Sequence, residues 1–109
     1  MDVIKDTLSS LPDSAGRNGA ERREQIALTL KTLGHPIRIG IMELLHEHEQ
    51  LSVGDICNML QLEQSLTSHH LKNMRLNGIL QCQRKGKQVF YFLSTDQLMR
   101  VINFLKGLA

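Results

Sequence analysis

The sequence predicts a mainly helical domain with one β-hairpin, in the order α-α-α-α-β-β-α. Three observations carry that expectation. Apolar residues recur at helical spacing in several separate segments. Residues 52–76 read as two short helices joined by a tight connection. Two strand-like runs, ILQCQR (79–84) and QVFYFL (88–93), flank the turn Lys85-Gly86-Lys87.

Size and composition set the bounds. A chain of 109 residues is one domain on length. A domain this small buries a limited core, so a second copy is a natural source of further buried surface. At 41% hydrophobic and 22% charged, the composition is that of a soluble globular protein. The formal charge of +2 says little about nucleic acid by itself, so the placement of charge has to carry the argument. No apolar run of about 18 residues is present, hence no membrane span is expected. The start, MDVIKDTLSSLPD, lacks the continuous apolar core of a secretory signal. Two widely separated cysteines do not make a disulfide framework, and a reducing cytoplasm is the expected setting.

Each element follows from its residues. In the first stretch Ile4, Leu8 and Leu11 have i, i+4, i+7 spacing and admit a short helix, followed by the loose run PDSAGRNG. Residues 1–18 are therefore read as a partly ordered or disordered extension, and 19–109 as the domain. Over 20–33, Ile26, Leu30 and Leu33 form one apolar stripe. Gly34 stops that helix and Pro36 opens the next at a first-turn position. Residues 36–48 follow, with Ile37, Ile41, Leu44 and Leu45 on one face and Ile39 and Met42 widening it. Ser52 is expected as an N-cap, with Asp55 approximating a capping box. The helix it starts, over about 53–60, buries Val53, Ile56, Cys57 and Leu60. Residues 61–64 turn the chain, and Ser65 lies at the start of the next helix, which Asn77-Gly78 ends. After the hairpin, Ser94 and Gln97 predict a capping box for a last helix striped by Leu98, Val101, Ile102, Leu105 and Leu108.

That order of elements is a winged helix-turn-helix. Helices at the two ends of the chain carry apolar faces outside its core, which predicts a homodimer through Ile26, Leu30, Leu33, Leu98, Val101, Ile102 and Leu105. The bland alternative is that these residues only close the core of one chain.

At about 100° per residue, the helix over 64–76 divides into two faces. Thr67, Leu71 and Met74 share one, with His70 at its edge. Ser65, Ser68, His69 and Lys72 share the other. Serine and histidine suit base edges or phosphates, while Lys72 and Arg75 suit phosphates. Gln64 lies at the helix N-terminus, where free backbone N–H groups also favour an anion. Arg84, Lys85 and Lys87 surround Gly86 as a basic wing tip, against the bland reading of a solvated turn. Leu66 meets either a thymine methyl or the preceding helix. His69 points outward, and His70 is expected to be a structural hydrogen-bonding residue. Adjacent histidines project about 100° apart on a helix and cannot readily chelate one ion. His46 and His48, with Glu47 and Glu49, are spaced i, i+2 and read as a solvated helix end. Cys57 and Cys82 read as buried small hydrophobes, and the aromatics Phe90, Tyr91 and Phe92 as core packing. No nucleophile–base set, phosphate-binding glycine loop or carboxylate pair is present, so neither an enzyme nor a cofactor is expected.

QSLTSHHLKNMRLNGIL followed by RKGKQVFYFL, with LKTLGHPIRIGIMELL upstream, resembles the arsenic-repressor (ArsR/SmtB) family of bacterial transcriptional regulators over about residues 22–108. The resemblance implies a homodimeric winged-helix repressor that leaves a double-stranded DNA operator, an imperfect palindrome, when an inducer binds. Leu66-Thr67 is exchanged relative to the family's usual order, which makes Thr67 a further candidate DNA contact. The family's metal and thiol sites are not matched. Ser52-Val53-Gly54 stands where one site type carries Cys-Val-Cys. Asp96 is kept from a last-helix site, but Leu98 stands where a ligand is expected. Glu43 occupies the position of a second-helix thiol, and the last helix has no cysteine. These residues specify no metal and name no inducer. A protein-interaction module built on the same winged helix is the alternative from another class. It would call for a neutral or acidic face where this sequence has a polar, basic one.

Overall fold

The computed structural model describes residues 19–109, so the expected N-terminal extension and its short helix lie outside the described residues. The described elements are α1 (Gly19–Leu33), α2 (Pro36–His48), β1 (Gln50–Ser52), α3 (Val53–Leu60), α4 (Gln64–Leu76), β2 (Leu80–Lys85), β3 (Gln88–Leu93) and α5 (Gln97–Leu108). They fall into two units that divide between Lys31 and Thr32.

In the first unit α1 has Glu21 in its first turn, while Lys31 lies in its last, signs that suit the helix dipole. Ile26, Leu28 and Leu30 are exposed along it.

The second unit is organised around α2. Its start is set by His35, whose ring Nδ1 accepts the Ile37 N–H at 3.2 Å, with Pro36 following in the first turn. Ile41 and Met42 of α2 are fully buried, and Leu45 nearly so. They pack with Ile56 of α3, Leu71 and Met74 of α4, Ile79 and Leu80 at the start of the hairpin, and Met99 and Ile102 of α5. Each such side chain contributes about 1.5–3 kcal/mol when fully removed from water.

The termini of the helix-turn-helix pair are built as their residues predict. The Ser52 hydroxyl accepts the Asp55 N–H at 3.1 Å, and the Asp55 carboxylate accepts the Ser52 N–H at 3.3 Å, a complete capping box. At the end of α4, Gly78 adopts φ 76°. Its N–H reaches the Arg75 carbonyl at 3.0 Å, and the Ile79 N–H reaches the Met74 carbonyl at 2.9 Å. This is a Schellman cap, and Ile79 and Met74 supply its apolar contact within the core. Gly86 takes φ 64° at the first turn position of the hairpin, the pattern of a type II′ turn.

Two elements depart from expectation. The three-residue strand β1 was not foreseen. It pairs antiparallel with β3, so the sheet order is β1-β3-β2 and β3 is central. Three residues are too few for a period-2 signal, and the partner lies far along the chain. The Ser94–Gln97 capping box is absent too. The chain instead enters α5 through Asp96, and the Thr95 hydroxyl accepts the Gln97 N–H at 3.3 Å. The Ser94 N–H is engaged by the Ile79 carbonyl at 3.0 Å, which ties this segment to the hairpin.

Cross-strand register sorts the sheet into two faces. Leu51, Leu80, Tyr91 and Leu93 share the face that packs on the core. Phe90 and Phe92 lie half-buried on the opposite face with Gln50, Gln81, Gln83 and Lys85. Cys82 was expected to be buried but is exposed, and Cys57 is only half-buried. Cys82 shares the sheet face of Tyr91 but sits on the edge strand β2, which has a neighbouring strand on one side only.

Candidate nucleic-acid interface

Helix α4 is held by its buried face. Leu71 and Met74 are fully buried, and so is Thr67, whose hydroxyl donates to the Glu63 carbonyl at 3.0 Å. Thr67 therefore does not reach the outer surface, and its expected role as a DNA contact is not available to it. A hydroxyl that bonds back to the preceding turn can sit in an apolar face without an unmet polar group.

His70 is buried beside Thr67 and is the polar link between α4 and α2. Its Nδ1 accepts from Arg38 Nε at 3.0 Å, while Arg38 Nη1 donates to the Thr32 carbonyl at 3.0 Å. The His35 ring packs on the His70 ring with centroids 4.6 Å apart, and the His69 ring meets it edge-on at 5.7 Å. Burial pushes the His70 pKa down from the ordinary value of 6.5, and the neighbouring charges of His35, Arg38 and His69 push the same way. The Arg38 bond requires a bare Nδ1, so His70 is neutral with its hydrogen on Nε2.

The opposite face of α4 is exposed along its length: Gln64, Ser65, Ser68, His69, Lys72 and Arg75. Among the described residues, Gln64, Ser68 and Lys72 make no side-chain hydrogen bond or ion pair. Their donors and acceptors are open to a ligand. Arg75 differs in lying close enough to Tyr91 to act on the ionisation of its hydroxyl. The Tyr91 pKa is nevertheless raised, first by burial and then by Cys82, with Arg75 opposing. Leu66 is exposed at the flank of α4, 40% of its surface being open.

The wing turn lies beside the leading end of this helix. A notch of about 310 Å³ separates them, lined by Gly54, Gln64 and Lys87 among others. Arg84, Lys85 and Lys87 are all exposed. Arg84 Nε donates to the Gly86 carbonyl at 3.2 Å and stiffens the turn. Lys85 crosses β3, with its ammonium 5.3 Å from the Phe90 ring centroid and 3.3 Å from Gln50 Oε1. Lys87 makes no such contact among the described residues. An outward strip of hydroxyl, amide, imidazole and ammonium groups thus runs from α4 to a basic turn. That set of groups can hydrogen-bond base edges and neutralise phosphates.

The apolar stripe of α5 is divided. Ile102 (6% exposed) and Met99 are buried in the chain's own core, and Leu98 packs against it. Leu33 is likewise buried. These three of the expected interface residues, Leu33, Leu98 and Ile102, are thus used inside one chain. Val101 and Leu105 remain exposed, as do Ile26 and Leu30 of α1, and Phe104 and Leu108 join the uncovered flank of α5. Phe104, 69% exposed, lies three residues after Val101 and four before Leu108, at the outer edge of the stripe, and was not singled out from sequence.

Among the described residues, the side chains able to hold a metal do not gather. His46 Nδ1 lies 3.7 Å from Asp96 Oδ1, and both are exposed. Among the described residues, no group of three or more His, Cys, Asp or Glu side chains comes together as a metal site. Glu43 forms an ion pair with Lys106, which joins α2 to α5. Sequence reasoning also passed over Arg38 and Glu63. The N-terminal position of Glu63 on α4 was a usable signal for it, whereas Arg38 was not separable from other surface cations. Among the described residues no helix is long and apolar enough to cross a membrane.

The family described as "Bacterial regulatory protein, arsR family" matches residues 35–81. The chain is 35% identical over 82 residues to "Transcriptional repressor PagR" of Bacillus anthracis, covering 75% of this chain and 82% of that protein. The PagR crystal structure superposes with a TM-score of 0.70 over 78% of this chain and 97% of that one. HlyU of Vibrio cholerae, named a transcriptional activator, superposes with a TM-score of 0.71 at 30% identity over 80% of this chain and 94% of its own. The fold is shared further with Mb0332 of Mycobacterium bovis, described as a homodimeric winged helix-turn-helix DNA-binding domain, at a TM-score of 0.73 and 19% identity over 90% of this chain and 89% of that one. With the helix-turn-helix, the wing and the upstream Pro36–His48 helix all accounted for, this chain belongs to the arsR family of bacterial regulatory proteins.

Proposed function

We propose that this protein is a homodimeric transcriptional repressor that binds a double-stranded operator in the cytoplasm and has no catalytic role. The observation that carries this reading is the open polar strip of α4 next to a basic hairpin turn, on a chain of the arsR family. Helix α4 enters the major groove, with Ser65, Ser68 and His69 toward base edges and Gln64 and Lys72 toward the backbone. Arg84, Lys85 and Lys87 lie along the adjacent phosphates, with Arg75 as a further phosphate contact. Val101, Phe104, Leu105 and Leu108 of α5 and, separately, Ile26 and Leu30 of α1 are the exposed apolar residues available to a second copy. Two-fold symmetry then requires a palindromic site with half-sites about one helical turn of DNA apart. The assignment as a repressor draws on PagR, which carries that name.

The test is an electrophoretic shift on DNA selected by the protein, with the double substitution Ser68→Ala/His69→Ala. The expected result is loss of specific binding with the dimer intact. Unchanged affinity in that variant refutes the assignment.

A further inference from the structure

We propose that Glu63 and Ser65 form an acceptor pair at the leading end of α4 that selects cytosine in each operator half-site. This rests on the operator reading above and adds a specificity-determining residue to it.

Glu63 stands at the N-cap of α4 in extended conformation, yet its carboxylate caps no backbone N–H. Its Oε1 instead accepts the Ser65 hydroxyl at 2.8 Å. An ionised carboxylate can only accept, so the hydroxyl hydrogen belongs to Ser65 and points at Glu63. Ser65 is left with lone pairs for anything beyond. Both side chains are exposed. The backbone beneath them is firm, because the Glu63 carbonyl accepts both the N–H and the hydroxyl of buried Thr67, each at 3.0 Å. The pair is carried on the first turn of the helix rather than on a mobile loop.

The first turn of a reading helix is the part that meets base edges. In the major groove cytosine presents an amino donor. Guanine presents two acceptors, thymine an acceptor and a methyl, and adenine an acceptor beside its amino group. Two neighbouring acceptors on the protein therefore match cytosine and oppose guanine and thymine. The same negative charge is repelled by phosphates, which weakens binding to DNA that offers no amino group in return. Glu63 thus acts in two ways, directly as an acceptor and as the positioning residue that makes Ser65 an acceptor.

The experiment uses the full chain. Sites are selected from a pool with randomised half-sites by the wild type, Glu63→Ala, Glu63→Gln and Ser65→Ala, and single-base variants of the selected site are then titrated. Thermal melts confirm that each variant is folded. For the wild type, one half-site position is expected to favour cytosine over guanine by about five- to 100-fold. Glu63→Ala should cut that preference to about threefold or less, leave the other positions as they are, and raise affinity for unrelated DNA. Ser65→Ala should weaken the same preference. Glu63→Gln adds an amide donor beside the acceptor, the pairing that suits adenine, and should move the preference from cytosine toward adenine. A Glu63→Ala profile that keeps the cytosine preference and only scales affinity at every position overturns the proposal and leaves the operator reading standing. A wild type that selects no sequence at all overturns both.

Discussion

At the residue scale His70 carries the sharpest consequence. It is buried, neutral and held by Arg38, with His35 and His69 as further charged or chargeable neighbours. Its folded pKa lies below the ordinary 6.5, so the unfolded chain takes up a proton that the folded chain refuses. Stability from this group is therefore present above that value and is lost as the pH falls through and below it. Melting temperature should drop between about pH 7.5 and pH 5.5 in the wild type and drop less in His70→Gln, whose amide oxygen can still accept from Arg38 without titrating. Parallel profiles for the two proteins would refute this. The residue types foretold part of the arrangement, since His69 was expected outward and His70 inward. Arg38 as the partner was not legible, because the bond spans 32 positions of sequence.

At the scale of elements, α4 depends on how it ends. An added Cβ at Gly78 meets nothing within 4 Å, but its φ of 76° is left-handed. Gly78→Ala should then cost about 1–2 kcal/mol from backbone conformation alone. Gly40 lies inside α2, and a Cβ there makes an ordinary 3.6 Å contact with Leu60. Gly40→Ala should raise stability by about 0.5–1 kcal/mol. Urea denaturation of both variants checks that one substitution has opposite signs in the two places. The wing makes its own prediction. Lys87→Ala should weaken binding to all DNA sequences alike and lower the slope of log affinity against log salt by about 1. A sequence-dependent loss would count against a phosphate contact. The hairpin was legible from its alternating residues and Gly86, whereas β1 was not, because three residues become a strand only when β3 lies beside them.

At the scale of the whole molecule, α5 has a wider apolar arc than one chain covers. Met99 and Ile102 face inward, while Val101, Phe104, Leu105 and Leu108 stay open. Substitutions on the two sides should separate folding from assembly. Leu105→Glu is expected to give a folded monomer with much weaker operator binding, measured by light scattering and electrophoretic shift. Ile102→Ala removes core and should lower stability by about 2–5 kcal/mol. A Leu105→Glu protein that remains dimeric would remove the uncovered flank of α5 from the interface.

Residue pattern alone determined the helical elements and the hairpin, the caps at Ser52 and Gly78, and the two faces of α4. Those features depend on local periodicity, backbone freedom and short-range hydrogen bonds, which are written in neighbouring residues. Only the tertiary structure decided that Thr67 is buried and Cys82 exposed, that β1 completes the sheet, that Arg38 anchors His70, and how the stripe of α5 divides between core and surface. Each of these depends on what a distant segment brings alongside, and burial and pairing are properties of the packed chain, not of any stretch of it.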